Sequence, residues 1–267
     1  ANLAVHRTVH PEAYELYLQG HYLMNNYWAQ ETIQKGIDYY LSAIELDSSF
    51  ARPYAGLAMA YTLLSNYALS PPKETFPIAK IYARKAVELD ENLAGAQAPL
   101  GVVKMMYDWD WAGAEESLKR AIQLNPGSVL AYSNYSWFLT VTRRFDASIA
   151  NADKARDLNP LSLTDKTMYG ERFFEAGRFE VAIDLLTKVL DSDPEFSYAH
   201  WILGFVYEQK RMYVEAIKHH KKAVEYSGGM TTCMASLAHA YAISGKKDKA
   251  YQMLNELLEL SKEQYIS

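Results

Sequence analysis

Two neighbouring histidines, His219 and His220, could in principle bind a metal ion. Consecutive residues on a helix point about 100 degrees apart, so the two imidazoles cannot readily hold the same ion. His220 also falls at the position that Leu118 and Leu186 occupy in other segments of the chain. We therefore predict that His220 packs in the interior and that the chain has no metal site.

Three further groups could support catalysis, but each also has a structural explanation. The SGKK segment at residues 244–247 resembles part of a phosphate-binding loop, yet it lacks the upstream glycine and a preceding strand. Cys233 has no histidine nearby in the sequence and lies among small residues, which favours a buried thiol. The carboxylates of Glu171, Glu175 and Glu180 could converge, although a solvated helix face explains them equally well. The sequence thus predicts a protein that is not an enzyme and that binds no cofactor.

Composition narrows the class of partner. The 267 residues include 27 Lys and Arg against 32 Asp and Glu, a formal net charge of -5. Binding to nucleic acid needs a concentrated basic face, so we expect no direct nucleic acid binding. No run reaches the roughly 18 apolar residues of a membrane span. One cysteine and no signal-peptide core leave the compartment open. We favour the cytoplasm, with a periplasmic domain of a membrane-anchored regulator as the alternative.

The sequence contains an internal repeat, which predicts the helices that carry the side chains discussed above. The prolines of LNPGS, LNPLS and SDPEF are 34 residues apart. Small residues recur with a similar period, and small side chains at fixed points let two helices approach closely. One such set is Gly20, Ala58, Gly101, Ser136, Gly170, Gly204 and Ala238. After a lead-in of residues 1–12, we expect about seven helical hairpins and essentially no sheet. Their predicted ranges are residues 13–50, 51–93, 94–128, 129–162, 163–196, 197–230 and 231–267.

This pattern resembles the tetratricopeptide repeat, in which 34 residues form a pair of helices. The resemblance is clear at Leu203, Gly204 and Tyr207, followed by Ala216. It implies an all-α solenoid of about seven repeats in a right-handed superhelix, a single domain over residues 13–267. It also implies a protein that binds other proteins.

A narrower resemblance spans nearly the whole chain. PEAYELYLQGHYLMNN, YDWDWAGAEESLKRAIQLNP and FDASIANADKARDLNPLS are similar to the C-terminal repeat region of certain bacterial regulators. Those regulators carry winged-helix, adenylate cyclase or serine/threonine kinase modules. The resemblance implies a scaffold or sensory segment of a signalling or transcription regulator. Because the chain begins at Ala1 without methionine, we expect that such a module lies outside it.

Repeats of this type line a concave groove with residues of their first helices, and these positions give the candidate partner-binding residues. They are Tyr17, His21, Met59, Met105, Trp137, Phe174, Tyr198, Trp201 and Phe205. The expected ligand is a protein or peptide, here a largely apolar peptide or helix, with Trp137, Phe174, Trp201 and Phe205 as anchors. For each residue, packing against the neighbouring repeat is the alternative.

The last predicted helix, KKDKAYQMLNELLELSKEQY, offers more apolar residues than one contact face requires. A solenoid normally closes with a polar helix, so either such a helix has been cut away or the terminal repeats meet another chain. We expect self-association. A structural element that promotes oligomerisation is therefore the alternative function.

The YDWDW segment places two tryptophans at a predicted turn. Trp111 takes the position of an aromatic residue that packs between paired helices in later repeats. Trp109 lies in a turn with one extra residue, where it either packs across the turn or contacts a partner at the rim. Asp108 or Asp110 is expected to cap the helix that follows.

Overall fold

The computed structural model describes residues 9–26, 30–66, 69–262 and 265–266, so most of the predicted lead-in lies outside the described residues. Within these ranges the chain is helical, with fourteen α-helices and no β-strand. None of these helices combines the length and apolar character needed to cross a membrane. The helices are α1 (Pro11–Asn26), α2 (Gln30–Leu46), α3 (Ala51–Asn66), α4 (Pro72–Leu89), α5 (Ala94–Val103), α6 (Trp111–Leu124), α7 (Val129–Val141), α8 (Phe145–Leu158), α9 (Leu163–Glu175), α10 (Phe179–Ser192), α11 (Ser197–Gln209), α12 (Tyr213–Tyr226), α13 (Thr231–Ile243) and α14 (Lys247–Leu260).

Residues at the helix ends explain where several helices start and stop. Ser128 and Ser162 precede α7 and α9, and each hydroxyl accepts a hydrogen bond from the backbone N–H three residues later, at 3.2 and 3.1 Å. Asp110 caps α6 in the same way at 2.9 Å, as one of the two predicted alternatives. Gly177 and Gly245 follow α9 and α13 with φ of +74° and +80°, a conformation that ends a helix.

Paired helices meet at the predicted small residues. A Cβ atom added to Gly101 of α5 would lie 2.6 Å from Leu118 Cγ of α6. Gly204 of α11 faces the buried ring of His220 on α12, and no space remains there for a Cβ atom. The interior position predicted for His220 is therefore confirmed. These close approaches, with the helix order, confirm the fold class of an all-α solenoid of helical hairpins.

The chain divides into two compact units, residues 1–126 and residues 127–267. The first unit contains α1 to α6 and the second contains α7 to α14, so the boundary falls between the third and fourth predicted repeats. Within each unit, a first helix packs on both helices of the preceding hairpin. For example, α3 contacts α1 and α2, and α11 contacts α9 and α10.

Each unit has its own apolar core between consecutive hairpins. In the first unit, Ile37 and Tyr40 of α2 pack with Leu57 of α3. In the second unit, Leu186 of α10 packs with Leu203 of α11. The first helix of one hairpin thus buries the apolar face of the second helix before it, which supplies most of the stability of a helical repeat.

The third repeat accommodates its extra residue in a π-helical segment, Lys104–Asp108, at the end of α5. Trp109 then adopts a left-handed conformation with φ of 57°, which is uncommon for a bulky residue. Its ring meets Trp111 edge to face at 5.9 Å between centroids but remains 70% exposed. Trp109 thus contacts Trp111 across the turn and keeps most of its ring exposed, so a partner contact by Trp109 stays a prediction. Trp111 is 37% exposed, so its predicted packing position is only partly covered.

Candidate peptide-binding surface

The second unit carries half-buried aromatic side chains on three of its first helices: Trp137 on α7, Phe174 on α9, and Tyr198, Trp201 and Phe205 on α11. We call these five residues the aromatic track. Spacings of three and four residues place the three rings of α11 on one face of that helix. Their centroids are 6.2 Å apart for Tyr198 and Trp201, and 5.4 Å apart for Trp201 and Phe205.

Hydrogen bonds hold the central ring of the track. The indole N–H of Trp201 donates to the hydroxyl of Ser236 at 2.8 Å, and that hydroxyl donates to the Thr232 carbonyl at 2.9 Å. Because Ser236 is buried on α13, the bond joins two neighbouring first helices and fixes the orientation of the indole. A ring that is already held loses little conformational entropy when a partner covers it.

A row of polar side chains links the same helices. The buried guanidinium of Arg172 lies 2.5 Å from the Glu171 carboxylate and 2.9 Å from that of Glu175, and it donates to the Thr140 hydroxyl at 3.2 Å. The Tyr198 hydroxyl donates to Glu171 at 2.8 Å. Two carboxylates thus share one arginine, which leaves a net charge of -1 when all three groups are ionised.

The electrostatics of Glu175 reflect this imbalance. Burial raises its pKa to about 7; the Arg172 charge opposes the shift and the Glu171 charge adds to it. The Oε2 atom of Glu175 lies 2.9 Å from Arg172 Nη1, but no described donor meets this buried atom with hydrogen-bonding geometry. The contact acts as an ion pair, because a charge interaction tolerates poor alignment. A second cation at this position would stabilise the ionised carboxylate.

Near the C-terminal end of α11, the buried carboxylate of Glu208 lies between two histidines. Its Oε1 is 3.1 Å from His220 Nε2, and its Oε2 is 3.2 Å from His239 Nδ1. The His220 ring also meets Phe205 edge-on at 5.0 Å, so this group supports the end of the aromatic track. The sequence gives no sign of this role for Glu208, because a glutamate on a helix is normally assigned to the solvated face.

The other four candidates lie in the first unit. The half-buried ring of Tyr17 stacks on the exposed His21 at 5.5 Å and meets the buried Tyr40 at 6.0 Å. Met59 is half-buried on α3. Met105 is only 1% exposed and falls in the π-helical segment, so it offers almost no surface to a partner. Tyr17 and His21 are thus brought together, whereas Met105 belongs to the core.

The residues that could support catalysis are buried, paired with other side chains or placed at a helix junction. Cys233 is buried, as predicted, and burial raises the pKa of its thiol. Glu180 pairs with Lys210, while Glu171 and Glu175 share Arg172. Residues 244–247 lie at the junction of α13 and α14. Within the described ranges, no group of three or more His, Cys, Asp or Glu side chains is arranged to hold a metal ion.

His219 has a neighbour that the sequence does not suggest. Its Nδ1 lies 2.8 Å from Nδ1 of the buried His200, and Nε2 of His200 lies 3.0 Å from the Pro194 carbonyl oxygen. Burial lowers the pKa of His219 to about 4, and the His200 charge acts in the same direction. Burial also lowers the pKa of His200. Both rings are therefore neutral at pH 7, and one nitrogen donates to the other.

Comparisons of sequence identify the repeat. Two tetratricopeptide repeat models match the chain, one over residues 168–229 and the other over residues 232–264. The small glutamine-rich tetratricopeptide repeat-containing protein 2 of Mycosarcoma maydis is 30% identical over 106 residues, which are 39% of this chain and 30% of that protein. The match thus spans less than a third of that relative. The second unit contains tetratricopeptide repeats.

Solved structures share the fold. A tetratricopeptide repeat protein from Parabacteroides merdae has a TM-score of 0.63 and 10% identity, with 93% of each chain covered. PilW, described as a widely conserved type IV pilus biogenesis factor, has a TM-score of 0.60 and 21% identity. That likeness covers 78% of this chain and 91% of PilW. At such identities the likeness establishes the fold alone.

Proposed function

We propose that this chain, which carries tetratricopeptide repeats, binds a peptide or a helix of another protein along the aromatic track. Tetratricopeptide repeats generally serve as non-catalytic protein-interaction modules, and solenoids of this kind bind along extended surfaces. The observation that carries the proposal is the face of α11, where Tyr198, Trp201 and Phe205 are half-exposed and Trp201 is tied to Ser236. Rigid aromatic side chains of this kind contribute strongly to protein interfaces.

The arrangement of the track favours an extended or helical ligand. Its five rings are distributed over three first helices, whereas a small molecule would need a closed cavity. The polar row beside it adds a preference for charge. Because Glu171 and Glu175 share a single Arg172, a lysine or arginine of the partner would supply the missing positive charge. The proposed ligand is therefore an apolar segment with one basic residue.

The test uses a random peptide library displayed on phage and selected against this chain. We expect enrichment of peptides that combine aromatic or aliphatic residues with a lysine or arginine. Calorimetric titration of a selected peptide then compares Trp201→Ala with Lys188→Ala, a control on the exposed side of α10. The Trp201 variant should lose about 2 kcal/mol of binding free energy, roughly 30-fold in affinity, with the control unchanged. Equal affinities for two folded variants would reject the aromatic track as the binding surface.

The first unit contributes a smaller candidate contact. Tyr17 and His21 stack on each other at 5.5 Å, and we propose that they form, with the half-buried Met59, a separate and weaker contact. We retain these three residues as subsidiary contacts and assign none to Met105, because its side chain is buried.

The wider role that we propose is a scaffold or sensory segment of a bacterial signalling or transcription regulator. Its support is the resemblance of three long segments of this chain to the C-terminal repeat region of such regulators. In that setting the aromatic track would recruit a partner protein, and a separate module would carry the catalytic or DNA-binding activity.

Self-association is a second candidate role, and one observation favours it. The terminal helix α14 exposes Tyr251, Leu254 and Leu258, which recur at three- and four-residue spacing on one face. An apolar stripe on a terminal helix is suited to cover a further helix. This role does not compete with the aromatic track, because the two surfaces have no residue in common.

A further inference from the structure

Charge is segregated between the two kinds of turn in the second unit. The turns within its hairpins contain basic residues and no Asp or Glu; they are residues 142–144, 176–178, 210–212 and 244–246. Their basic residues are Arg143, Arg144, Arg178, Lys210, Arg211 and Lys246. The turns that join one hairpin to the next contain Asp193 and Glu195 and no Lys or Arg; they are residues 159–162, 193–196 and 227–230. We call the four turns within the hairpins, with the first turn of the helix after each, the basic edge.

Ion pairs show that consecutive turns of the basic edge lie side by side. Arg178 Nη2 lies 2.5 Å from Oδ1 of Asp146, 32 residues earlier in the chain. Lys210 pairs with Glu180, 30 residues earlier. Each pair joins a turn to the start of the second helix in the preceding hairpin. The basic edge is therefore a continuous surface within the second unit.

The pairing stops at the last two turns, because the acidic residue is missing there. Val214 stands at the position that Asp146 and Glu180 occupy in the earlier hairpins. Lys246, the counterpart of Arg178, therefore meets no carboxylate at that position. The exchange of a carboxylate for a valine changes the surface from paired charges to an excess of positive charge.

This positive charge is not compensated by other contacts. Arg211, Lys246 and Lys247 are exposed, and within the described part of the chain none of them forms an ion pair. The first turns of α12 and α14 contain one acidic residue each, Glu215 and Asp248. Against these stand the three basic residues and the exposed Lys249. The two turns thus carry net positive charge in a chain whose formal net charge is -5.

The stability of the helices does not account for these charges. Arg144, Arg178 and Lys246 directly precede α8, α10 and α14, and none of them caps its helix through a side-chain hydrogen bond. The start of a helix carries a partial positive charge, so a basic residue there is unfavourable. The serine and aspartate caps of α6, α7 and α9 show the stabilising choice. An anionic partner would remove the repulsion at these helix starts.

Exposed apolar side chains at the last two turns indicate the kind of partner. Val214 is 74% exposed, and Met212 and Ile243 are 38% and 39% exposed. All three lie at helix ends, where a flat surface can reach them without entering the space between helices. Basic residues beside exposed apolar side chains are typical of surfaces that bind anionic lipid headgroups and insert shallowly between them. An acidic polymer in solution would contact the charges and leave these apolar side chains exposed.

We propose that the basic edge docks the second unit on the surface of an anionic lipid bilayer. Arg211, Lys246 and Lys247 meet the lipid phosphates, and Val214 enters the headgroup region. Each basic residue close to such a surface strengthens binding roughly fivefold. The attraction acts between exposed charges, so binding weakens as the salt concentration rises. The basic edge shares no residue with the aromatic track or with the apolar stripe of α14, so this inference is independent of both proposed roles.

The experiment is flotation of the whole chain with vesicles of phosphatidylcholine alone or with added phosphatidylserine. The parent chain should float with the anionic vesicles and not with the neutral ones. A triple variant, Arg211→Asn with Lys246→Gln and Lys247→Gln, should bind the anionic vesicles roughly 100-fold more weakly. Asparagine is chosen at residue 211 because it tolerates the left-handed backbone there, with φ of 58°.

The matched control removes the same charge elsewhere. Lys154→Gln, Lys188→Gln and Lys221→Gln together change three exposed lysines in the second helices, and this variant should float as the parent does. Val214→Ser tests the apolar contact without a change of charge and should weaken binding roughly fivefold. Circular dichroism checks that each variant keeps its helices. If the triple variant does not fold, the single variants Arg211→Asn and Lys247→Gln replace it, each with a loss of roughly fivefold.

Three results would overturn the inference. The first is a parent chain that does not float with anionic vesicles. The second is an equal loss in the triple variant and its control, which would mean that overall charge and not the basic edge drives binding. The third uses soluble polyglutamate and duplex DNA as competing probes. If either probe binds the basic edge more tightly than the vesicles do, and Val214→Ser has no effect, the edge takes an acidic protein or a nucleic acid instead of a bilayer.

Discussion

The two compact units place the same repeat positions in different surroundings. In the second unit the repeats keep a constant 34-residue step, and the candidate aromatic residues are half-exposed on neighbouring first helices. In the first unit the step varies, and the extra residue of the third repeat becomes a π-helical segment in which Met105 is buried. A helix presents the same face only when the residue count is kept, so positions transfer between repeats only where the period is constant. The aromatic track is therefore confined to the second unit, and the candidates of the first unit form a separate, weaker contact.

The contacts between the two helices of a hairpin allow a direct comparison of the units, and they give the largest expected effect. Gly204→Ala places a Cβ atom against the buried ring of His220, which is also held by Glu208 at 3.1 Å. We expect a loss of about 3 kcal/mol in the free energy of unfolding, because the ring cannot move without losing that contact. Gly101→Ala in the first unit meets Leu118, which has no hydrogen bond to lose, and should cost about 1 to 2 kcal/mol.

Urea denaturation of both variants checks this ordering. Gly95→Ala is the control, because a Cβ atom there meets no atom within 4 Å. It should be neutral or stabilising by up to about 1 kcal/mol, since alanine favours a helix over glycine. A larger loss for Gly101→Ala than for Gly204→Ala would show that the Glu208 contact does not restrain His220.

The fold could be predicted from the sequence because its signal is local and repeated. Glycines such as Gly101 and Gly204 recur at one point of each hairpin, and close helix packing follows from their missing side chains. The polar contacts could not be predicted, because they join residues far apart in the chain. Arg172 reaches Thr140, 32 residues away, and its own burial becomes visible only in the folded unit. The sequence left open whether Met105 lines the groove or packs in the core, because a π-helical segment has no clear sequence signal.

The histidine pair of the second unit predicts a dependence of stability on acid. Folding lowers the pKa of His219 from 6.5 to about 4. The unfolded chain therefore binds the proton more readily than the folded chain. The contribution of neutral His219 to the free energy of unfolding is complete above pH 6.5 and is lost as pH falls towards 4. Allowing for partial exposure, we expect the loss to be roughly 2 kcal/mol.

The measurement is the slope of unfolding free energy against pH for the parent chain and for His219→Gln. The variant should lose much of the fall in stability between pH 6.5 and 4. His10→Gln, at an exposed histidine of the first unit, is the control and should keep the parent slope. An unchanged slope in His219→Gln would mean that burial does not lower the pKa of His219.

Glu175 is expected to change stability with pH in the opposite direction to His219, and by a smaller amount. Folding raises its pKa from 4.5 to about 7. The contribution of protonated Glu175 to the free energy of unfolding is therefore complete below pH 4.5 and is lost as pH rises towards 7. Glu175→Gln removes this titration and leaves Arg172 paired with Glu171 alone. We expect the variant to gain about 1 kcal/mol relative to the parent between pH 4.5 and 8, as measured by denaturation at each pH. A constant difference between the two proteins would contradict the burial of this carboxylate.

The most direct test of the central claim is hydrogen exchange of this chain with and without a peptide selected from the library. We expect the largest added protection in α9, α11 and α13, around Phe174, Trp201 and Ser236, and at most a small change in α1 and α3. Protection confined to the first unit, or confined to α14, would contradict it.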